Sequence, residues 1–387
     1  MRVSLWAMLD LHVILANLPD IAFGILGLLL LVQLYYILFV YSKLSSYQVE
    51  HHNETDSLPP LSLIICAHNE EDNLREYLPA ILTQDYPEFE VIVVNDFSTD
   101  HTPWILQEFS QQHPHLKIVD IKEHIRLKHG KKFAVSMGIK ASRFQTLVFT
   151  DADCAPQSNQ WLRDIAGAFT PGTEIVLGYS PYFKKRGLLN LLIRFETTHT
   201  AMSYLSYALK GDAYMGVGRN MAYKKELFFR NKGFAAHMHI KSGDDDLFVN
   251  QNATRTNVNI ALHPTSFVYS VPKTTWKSYY KQKARHSGAS TIYKKRHQRI
   301  LGTQLVSAAL FYLAAITVAI VFPAFWYVPL SAYLLRLFAQ WAVFSNIYRK
   351  LEVKELIWWL PLVDFIYYFY ICTNGLFSRK KKKISWK

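Results

Sequence analysis

The strongest constraint on this chain is a set of long stretches that carry no charge. Residues 21–42 hold 22 residues without a single Asp, Glu, Lys or Arg. As a helix this run spans roughly 33 Å, enough to cross a hydrocarbon core of about 30 Å. It is too long for the apolar part of a signal peptide and no small-residue cleavage site follows it, so it reads as an anchor. Residues 300–335 form a second uncharged stretch, and Pro323 divides this region into two expected spans, 302–322 and 325–348. A third apolar run, 356–377, contains Pro361 and Asp364.

Charge sharpens the same division. The chain has 387 residues and a formal net charge of +13, with 43 Lys+Arg against 30 Asp+Glu. Residues 274–300 contain 8 basic residues and no acid, and residues 379–387 contain 6 and no acid, so the rest is close to neutral. Basic strips that abut the most apolar segments suit a membrane surface better than nucleic acid. Lys43, the central segment and the basic tail should all lie on the cytoplasmic side. Three full spans after the central segment would put the tail outside, so either 356–377 re-enters or lies at the interface, or the tail is an exception. Arg336 and Asp364 are costly inside such runs. They pair between helices, or Arg336 holds a lipid phosphate. The three cysteines are scattered without metal or disulfide spacing, which points to a reducing compartment for the soluble part.

Between about residues 44 and 300 the pattern changes. Short β-branched runs at 61–66, 91–94, 116–119, 147–150 and 175–177 alternate with helical stretches at 70–84, 103–112, 131–142 and 158–169. This predicts a mostly parallel sheet covered by helices, with a ligand at the carboxyl ends of the strands. Acids stand at two such ends: Asn95-Asp96 after 91–94, and Asp151-Ala152-Asp153 after 147–150. Positions i and i+2 of an extended segment face one side, so Asp151 and Asp153 can meet one ligand. Carboxylates repel a diphosphate unless a divalent cation intervenes, and their oxygens suit Mg²⁺ or Mn²⁺. Ribose hydroxyls and a base N–H are their other natural partners. Residues 182–210 lack sheet alternation and form either an amphipathic helix against the membrane or a buried core helix.

Seven motifs then fall in one order: Ser62-Leu63-Ile64-Ile65-Cys66-Ala67-His68-Asn69-Glu70-Glu71, Val93-Val94-Asn95-Asp96-Phe97-Ser98-Thr99-Asp100, Gly130-Lys131, Asp151-Ala152-Asp153, Gly216-Val217-Gly218-Arg219-Asn220, Gly243-Asp244-Asp245-Asp246-Leu247 and Gln282-Lys283-Ala284-Arg285-His286. In order and spacing they resemble family 2 glycosyltransferases of the GT-A fold, over about residues 61–287. The resemblance implies that Asp96 contacts the base or ribose of a nucleotide sugar, with Ala67 and Glu70 lining that pocket and Lys131 nearby. Asp151 would meet the ribose and donor sugar, and Asp153 would bind the Mn²⁺ or Mg²⁺. Gln282 and Arg285, three apart on one helix face, would close over the diphosphate. Gly218, Asn220 and His286 would lie on the acceptor side. The chain departs from the family at Asn95 and Phe97, where an Asp and a Gly are usual, at Gly243 in place of Glu, and at His286 in place of Trp.

Sugar transfer with inversion requires a base for the acceptor hydroxyl. Anchoring the family pattern on Asp246-Leu247 makes Asp244 that base, ahead of Asp245. The resulting expectation is an α/β, Rossmann-like GT-A domain at 44–273, between an anchor at 1–43 and a basic interfacial segment at 274–300. Transmembrane helices at 301–378 and a basic tail at 379–387 complete a multi-pass membrane protein with a cytoplasmic catalytic domain. It would move sugar from a UDP-linked donor to a polyprenyl-phosphate or glycolipid acceptor. Two other readings are a processive polysaccharide synthase, which His286 and the few spans disfavour, and a non-catalytic lipid-binding scaffold.

Overall fold

The computed structural model describes residues 17–49, 58–122, 130–238, 240, 242–286 and 288–378. The first element is helix α1 (Leu18–Ser46), which contains one π-helical stretch at Tyr36–Tyr41. Seven strands follow in the main sheet, and its centre is parallel. β1 (Leu61–Ala67) pairs with β2 (Phe89–Asp96) and β4 (Thr146–Asp151), and β3 (Leu116–Ile121) flanks β2. β6 (Ile175–Gly178), β7 (Met221–Lys224) and β8 (Val258–Ala261) complete the order β3-β2-β1-β4-β7-β6-β8, with β7 antiparallel to both neighbours. A small antiparallel pair joins β5 (Cys154–Pro156) to β9 (Val268–Ser270).

The central strands are apolar on both faces because both faces are covered. Leu63, Ile65, Val91, Val93 and Val148 share a core with helices α2 (Glu71–Leu82), α3 (Thr102–Gln112) and α5 (Trp161–Gly167). In α2 the buried residues are Leu74, Leu78, Ile81 and Leu82, the i, i+4, i+7, i+8 stripe of a helix with one apolar face. Ile64, Ile92, Val94, Leu147 and Phe149 turn to the opposite face. There they meet α4 (Lys131–Ala141), α6 (Leu188–Leu209) and the short α7 (Lys225–Arg230) and α8 (Asp246–Asn252).

This second core continues without a break into the apolar helices. Helix α6 is buried along most of its length, so the core reading holds and the membrane-surface reading of 182–210 does not. Its Arg194 donates to Glu355 at 2.5 Å, and Tyr204 donates to the Gly178 carbonyl at 2.7 Å. The chain then runs through α9 (Trp276–His286), α10 (Lys295–Val321), α11 (Tyr327–Lys350) and α12 (Leu360–Ser378). The basic segment expected to end at 300 therefore already contains the start of α10.

Among the described residues, two helices are long and apolar enough to cross a membrane: α1 and α10. The stretches expected as further spans fall on α11 and α12, which are not among these two helices, so the multi-pass expectation is not supported. Arg336 on α11 pairs with Asp364 on α12 at 2.9 Å, and both are 1% exposed. Its remaining donors reach Gln33, Tyr312 and Gln340. The ion-pair reading is thus correct, and a guanidinium so enclosed holds no lipid phosphate. Cys66 and Cys154 are free thiols. The basic tail at 379–387 lies outside the described residues.

Candidate active site

The carboxyl edges of β1, β2 and β4 converge, and Lys131, the first residue of α4, stands over them. Its Nζ lies 2.8 Å from an oxygen of Asp151 and 3.3 Å from an oxygen of Asp244. One cation thus joins the end of β4 to the acidic loop before α8, although Asp244 lies 113 residues after Lys131 along the chain. Burial alone would lower the Lys131 pKa, but Asp151, Asp244 and Asp245 outweigh it and hold the ammonium well above its usual value. A narrow cleft lies beneath, walled by Cys66, Thr150, Gly218 and Tyr223.

Three adjacent carboxylates in the acidic loop have three different environments. Asp245 accepts from the Gly218 amide at 2.8 Å and from the Asp246 amide at 2.7 Å, so it caps α8 and ties two loops together. Asp246 accepts from the Tyr293 hydroxyl at 2.8 Å and from the Leu247 amide at 2.7 Å. Asp244 faces Lys131. Burial, then the charge of Asp244, raises the Asp245 pKa. Burial and the charge of Asp245 push Asp246 up to about 7. Gly243, found where Glu is usual, has φ +90. Its glycine identity follows from that left-handed turn, which aims the next carboxylate at Lys131.

Asp153 does not continue the strand. β4 stops at Asp151, and a turn through Ala152 and Asp153 leads into β5, so the pair is brought together by a turn rather than by strand alternation. Burial and the Asp151 charge raise the Asp153 pKa, with Glu70 adding to the rise and Arg219 opposing it. A half-buried like-charge pair of hard oxygen donors is what a divalent cation neutralises. Two carboxylates suit a Mg²⁺-type ion that takes its remaining ligands from phosphate and water. Among the described residues no group of three or more His, Cys, Asp or Glu side chains forms a closed cage.

On the β1–β2 side, Ala67 and Asp96 end their strands fully buried. Glu70 precedes the first turn of α2, and its carboxylate accepts from Asn73 at 2.5 Å. Asn95, found where an Asp is usual, donates to Asp120 of the neighbouring strand at 2.9 Å. A carboxylate there would repel Asp120. Phe97, in place of Gly, adopts φ +42 and sets its ring 5.0 Å from that of His68.

Gln282 on α9 donates to the Tyr182 hydroxyl at 3.3 Å. Arg285 and His286 lie on the same helix, with side chains outside the described residues. Asn220 turns away from the cleft. It is fully buried, donates to the Tyr179 and Ser266 carbonyls and accepts from Trp161, so it shapes its loop from within.

Two participants escaped the sequence reading. Arg219 lies 4.5 Å over the Tyr182 ring. Burial opposes its charge, but Tyr182, Cys154, Asp153 and Asp151 hold its pKa above the ordinary value. A lone Arg between Gly218 and Asn220 was its available signal. Tyr293 has no local signal, because its partner Asp246 lies 47 residues away.

Two family models match the chain: "Glycosyl transferase family 2" over residues 62–229, and "Glycosyl transferase family group 2" over residues 147–372, more than half of the chain. Glycosyltransferase AglE of Haloferax volcanii is 35% identical over 127 residues, 32% of this chain and 40% of that protein. Beta-monoglucosyldiacylglycerol synthase of a Nostoc species is 28% identical over 189 residues, 46% of this chain and 39% of that protein. The match thus spans less than half of each relative's length. A solved mannosyltransferase from Pyrobaculum calidifontis, in complex with GDP-Man and Mn²⁺, superposes with a TM-score of 0.57 at 18% identity. That superposition covers 94% of this chain and 100% of the other, and it shows a shared GT-A fold.

Proposed function

The chain belongs to family 2 of the glycosyltransferases, and on that premise we propose that it transfers a single sugar, with inversion, from a nucleotide sugar to a membrane-associated acceptor. The observation that carries this reading is the Lys131 bridge, which holds Asp151 and Asp244 at one strand edge. Asp96, Ala67 and Glu70 bind the nucleoside, and Asp151 meets the ribose and sugar. Asp244 accepts the proton of the attacking acceptor hydroxyl. Asp244 suits this role better than Asp245, whose two oxygens are both occupied by backbone amides.

Asp153, with Asp151 beside it, is the residue that would hold Mn²⁺ or Mg²⁺. When bound, such an ion neutralises the departing diphosphate. Arg219, Gln282 and Arg285 supply positive charge and hydrogen bonds around the same group. Asp245 keeps the base loop against Gly218, and Gly218 and His286 border the acceptor side.

The acceptor is a polyprenyl phosphate or a glycolipid. That choice rests on the continuity between the core beneath the cleft and the apolar helices, and on α1 and α10 being long enough to cross a bilayer. In this reading the catalytic domain is cytoplasmic and the donor UDP-linked. The test is to incubate membranes containing the protein with UDP- and GDP-sugars and Mn²⁺ or Mg²⁺, following nucleotide release with and without lipid extract. Lipid-stimulated release from one donor is expected. Absence of release from every donor, with folded protein, would overturn the enzyme reading. Products longer than one added sugar would favour a processive synthase.

A further inference from the structure

A second cleft, of about 470 Å³, opens where α6 ends, beside the start of α10. Lys210, Arg255, Lys294, Arg296 and His297 line it, with Asp212 as the acidic side chain among them. Asp212 is already committed. It pairs with Arg296 at 3.0 Å and with His297 Nε2 at 3.1 Å. Among the described residues, Lys210, Arg255 and Lys294 have no carboxylate partner. Burial, opposed by Asp212, holds the Lys294 ammonium below its ordinary pKa.

The floor of this cleft is built. Asn250 donates to the Tyr214 carbonyl at 2.7 Å and sits 2.9 Å from His297 Nδ1. That contact makes Nδ1 the acceptor and leaves Nε2–H to face Asp212. Gly211 has φ +71, and a Cβ there would come within 2.9 Å of both the Arg255 side chain and its carbonyl oxygen. Only glycine permits that turn and that approach, which bring Lys210 and Arg255 to one rim.

The position of the cleft selects its ligand. Lys210 donates to the Tyr35 hydroxyl at 3.2 Å, and Tyr35 lies within the uncharged run of α1. The next residue, Tyr36, donates to the Ile300 carbonyl at 2.9 Å, level with the point where the basic first turns of α10 give way to apolar sequence. Tyr35 stacks on Phe39, and the two rings are exposed on the outer face of α1. Cations beside an outward-facing aromatic pair match a phosphate headgroup next to its acyl chains, whereas a soluble anion has no use for the apolar rim.

We propose that this cleft binds the phosphate headgroup of an anionic membrane lipid, separately from the catalytic edge. The proposal rests on the reading that α1 and α10 lie in a bilayer, and not on the sugar-transfer chemistry. Its test is native mass spectrometry of the full-length chain in detergent with equimolar phosphatidylglycerol and phosphatidylcholine. The chain should retain phosphatidylglycerol about tenfold over phosphatidylcholine, at roughly a few-fold per exposed cation. A double Arg255→Ser, Lys294→Ser variant should bring the ratio close to one, while Arg255→Lys, Lys294→Arg should keep it. Equal retention of the two lipids by the native chain overturns the proposal, as does an unchanged preference in the neutralised variant. Displacement of the lipid by millimolar inorganic phosphate overturns the lipid as the source of the phosphate. Release of the chain from membranes by alkaline carbonate overturns the bilayer reading and this proposal with it. A carbonate-resistant chain without lipid preference overturns this proposal alone.

Discussion

Two clusters in this molecule are each organised around one cation, and they differ in what is left unresolved. In the helical bundle, Arg336 and Asp364 are 1% exposed and 2.9 Å apart, and Gln33, Tyr312 and Gln340 take up their remaining hydrogen bonds. At the strand edge, Lys131 faces Asp151 and Asp244 in a half-open cleft, while burial and mutual repulsion raise the pKa values of Asp153, Asp245 and Asp246. The first arrangement is saturated and belongs to structure. The second stores electrostatic tension that an arriving cation or proton relieves, which is the mark of a site that handles ligands.

That contrast breaks most readily at Asp244. Asp244→Asn keeps shape and removes the base, so turnover of the donor should fall by ~10²–10⁴-fold with little change in melting temperature. Nucleotide release measured beside thermal unfolding separates the two effects. An Asp244→Asn protein with native turnover would remove Asp244 from the proposed mechanism.

Arg336 should behave in the opposite way. Arg336→Met leaves Asp364 buried without its partner, a change that costs about 3–5 kcal/mol. The double variant Arg336→Met, Asp364→Leu should recover most of that stability, because the desolvation penalty disappears with both charges. Thermal unfolding in detergent reads this out. Failure of the double variant to recover would mean that the polar network specifies the helix packing rather than merely tolerating it.

Asp245→Asn sits between these extremes. Its amide keeps one oxygen to accept a backbone N–H and replaces the other with an NH₂ that cannot, so one of the bonds to Gly218 and Asp246 is lost, for about 1 kcal/mol of stability. Its loss of activity should be smaller than that of Asp244→Asn, since it acts through the position of its neighbour. Equal losses would argue that the two carboxylates work as one unit.

The division between the clusters was partly legible in the sequence. The parallel strands announced themselves because β1, β2 and β4 hold continuous apolar runs, with acids at the ends of β2 and β4, and the helical stretch at 70–84 corresponds to α2. Strand β7 did not, because Met221–Lys224 is four residues long and finds its place only between β4 and β6. The Arg336–Asp364 pair could be anticipated, since an isolated charge in an apolar run needs a partner. The Lys131 bridge could not, because nothing in a local window says which of three adjacent acids a lysine 113 residues earlier will meet. Asn220 misled for a related reason: a polar residue in a motif suggests a ligand contact, yet here every valence of its amide is used inside the fold.

The smallest expected effect is a pH dependence that only the strand-edge cluster should possess. Asp246 is raised from its ordinary 3.8 to about 7, by burial and then by the Asp245 charge, with the Tyr293 hydroxyl partly opposing the rise. The folded chain therefore holds this proton more tightly than the unfolded chain does. The resulting stabilisation is complete below about pH 3.8 and is lost as pH rises through about 7. Neighbouring carboxylates respond as well, so the expected decline from pH 5 to pH 8 is ~1 kcal/mol, on the order of 2 °C in Tm. Asp246→Asn should flatten that slope by keeping a neutral side chain at every pH, while Arg336→Met, Asp364→Leu should leave it intact. Melting curves of the three proteins across that range decide the matter. A slope that survives in Asp246→Asn would place the titrating group elsewhere, and a slope lost in the bundle variant would show that the two clusters are coupled through the core they share.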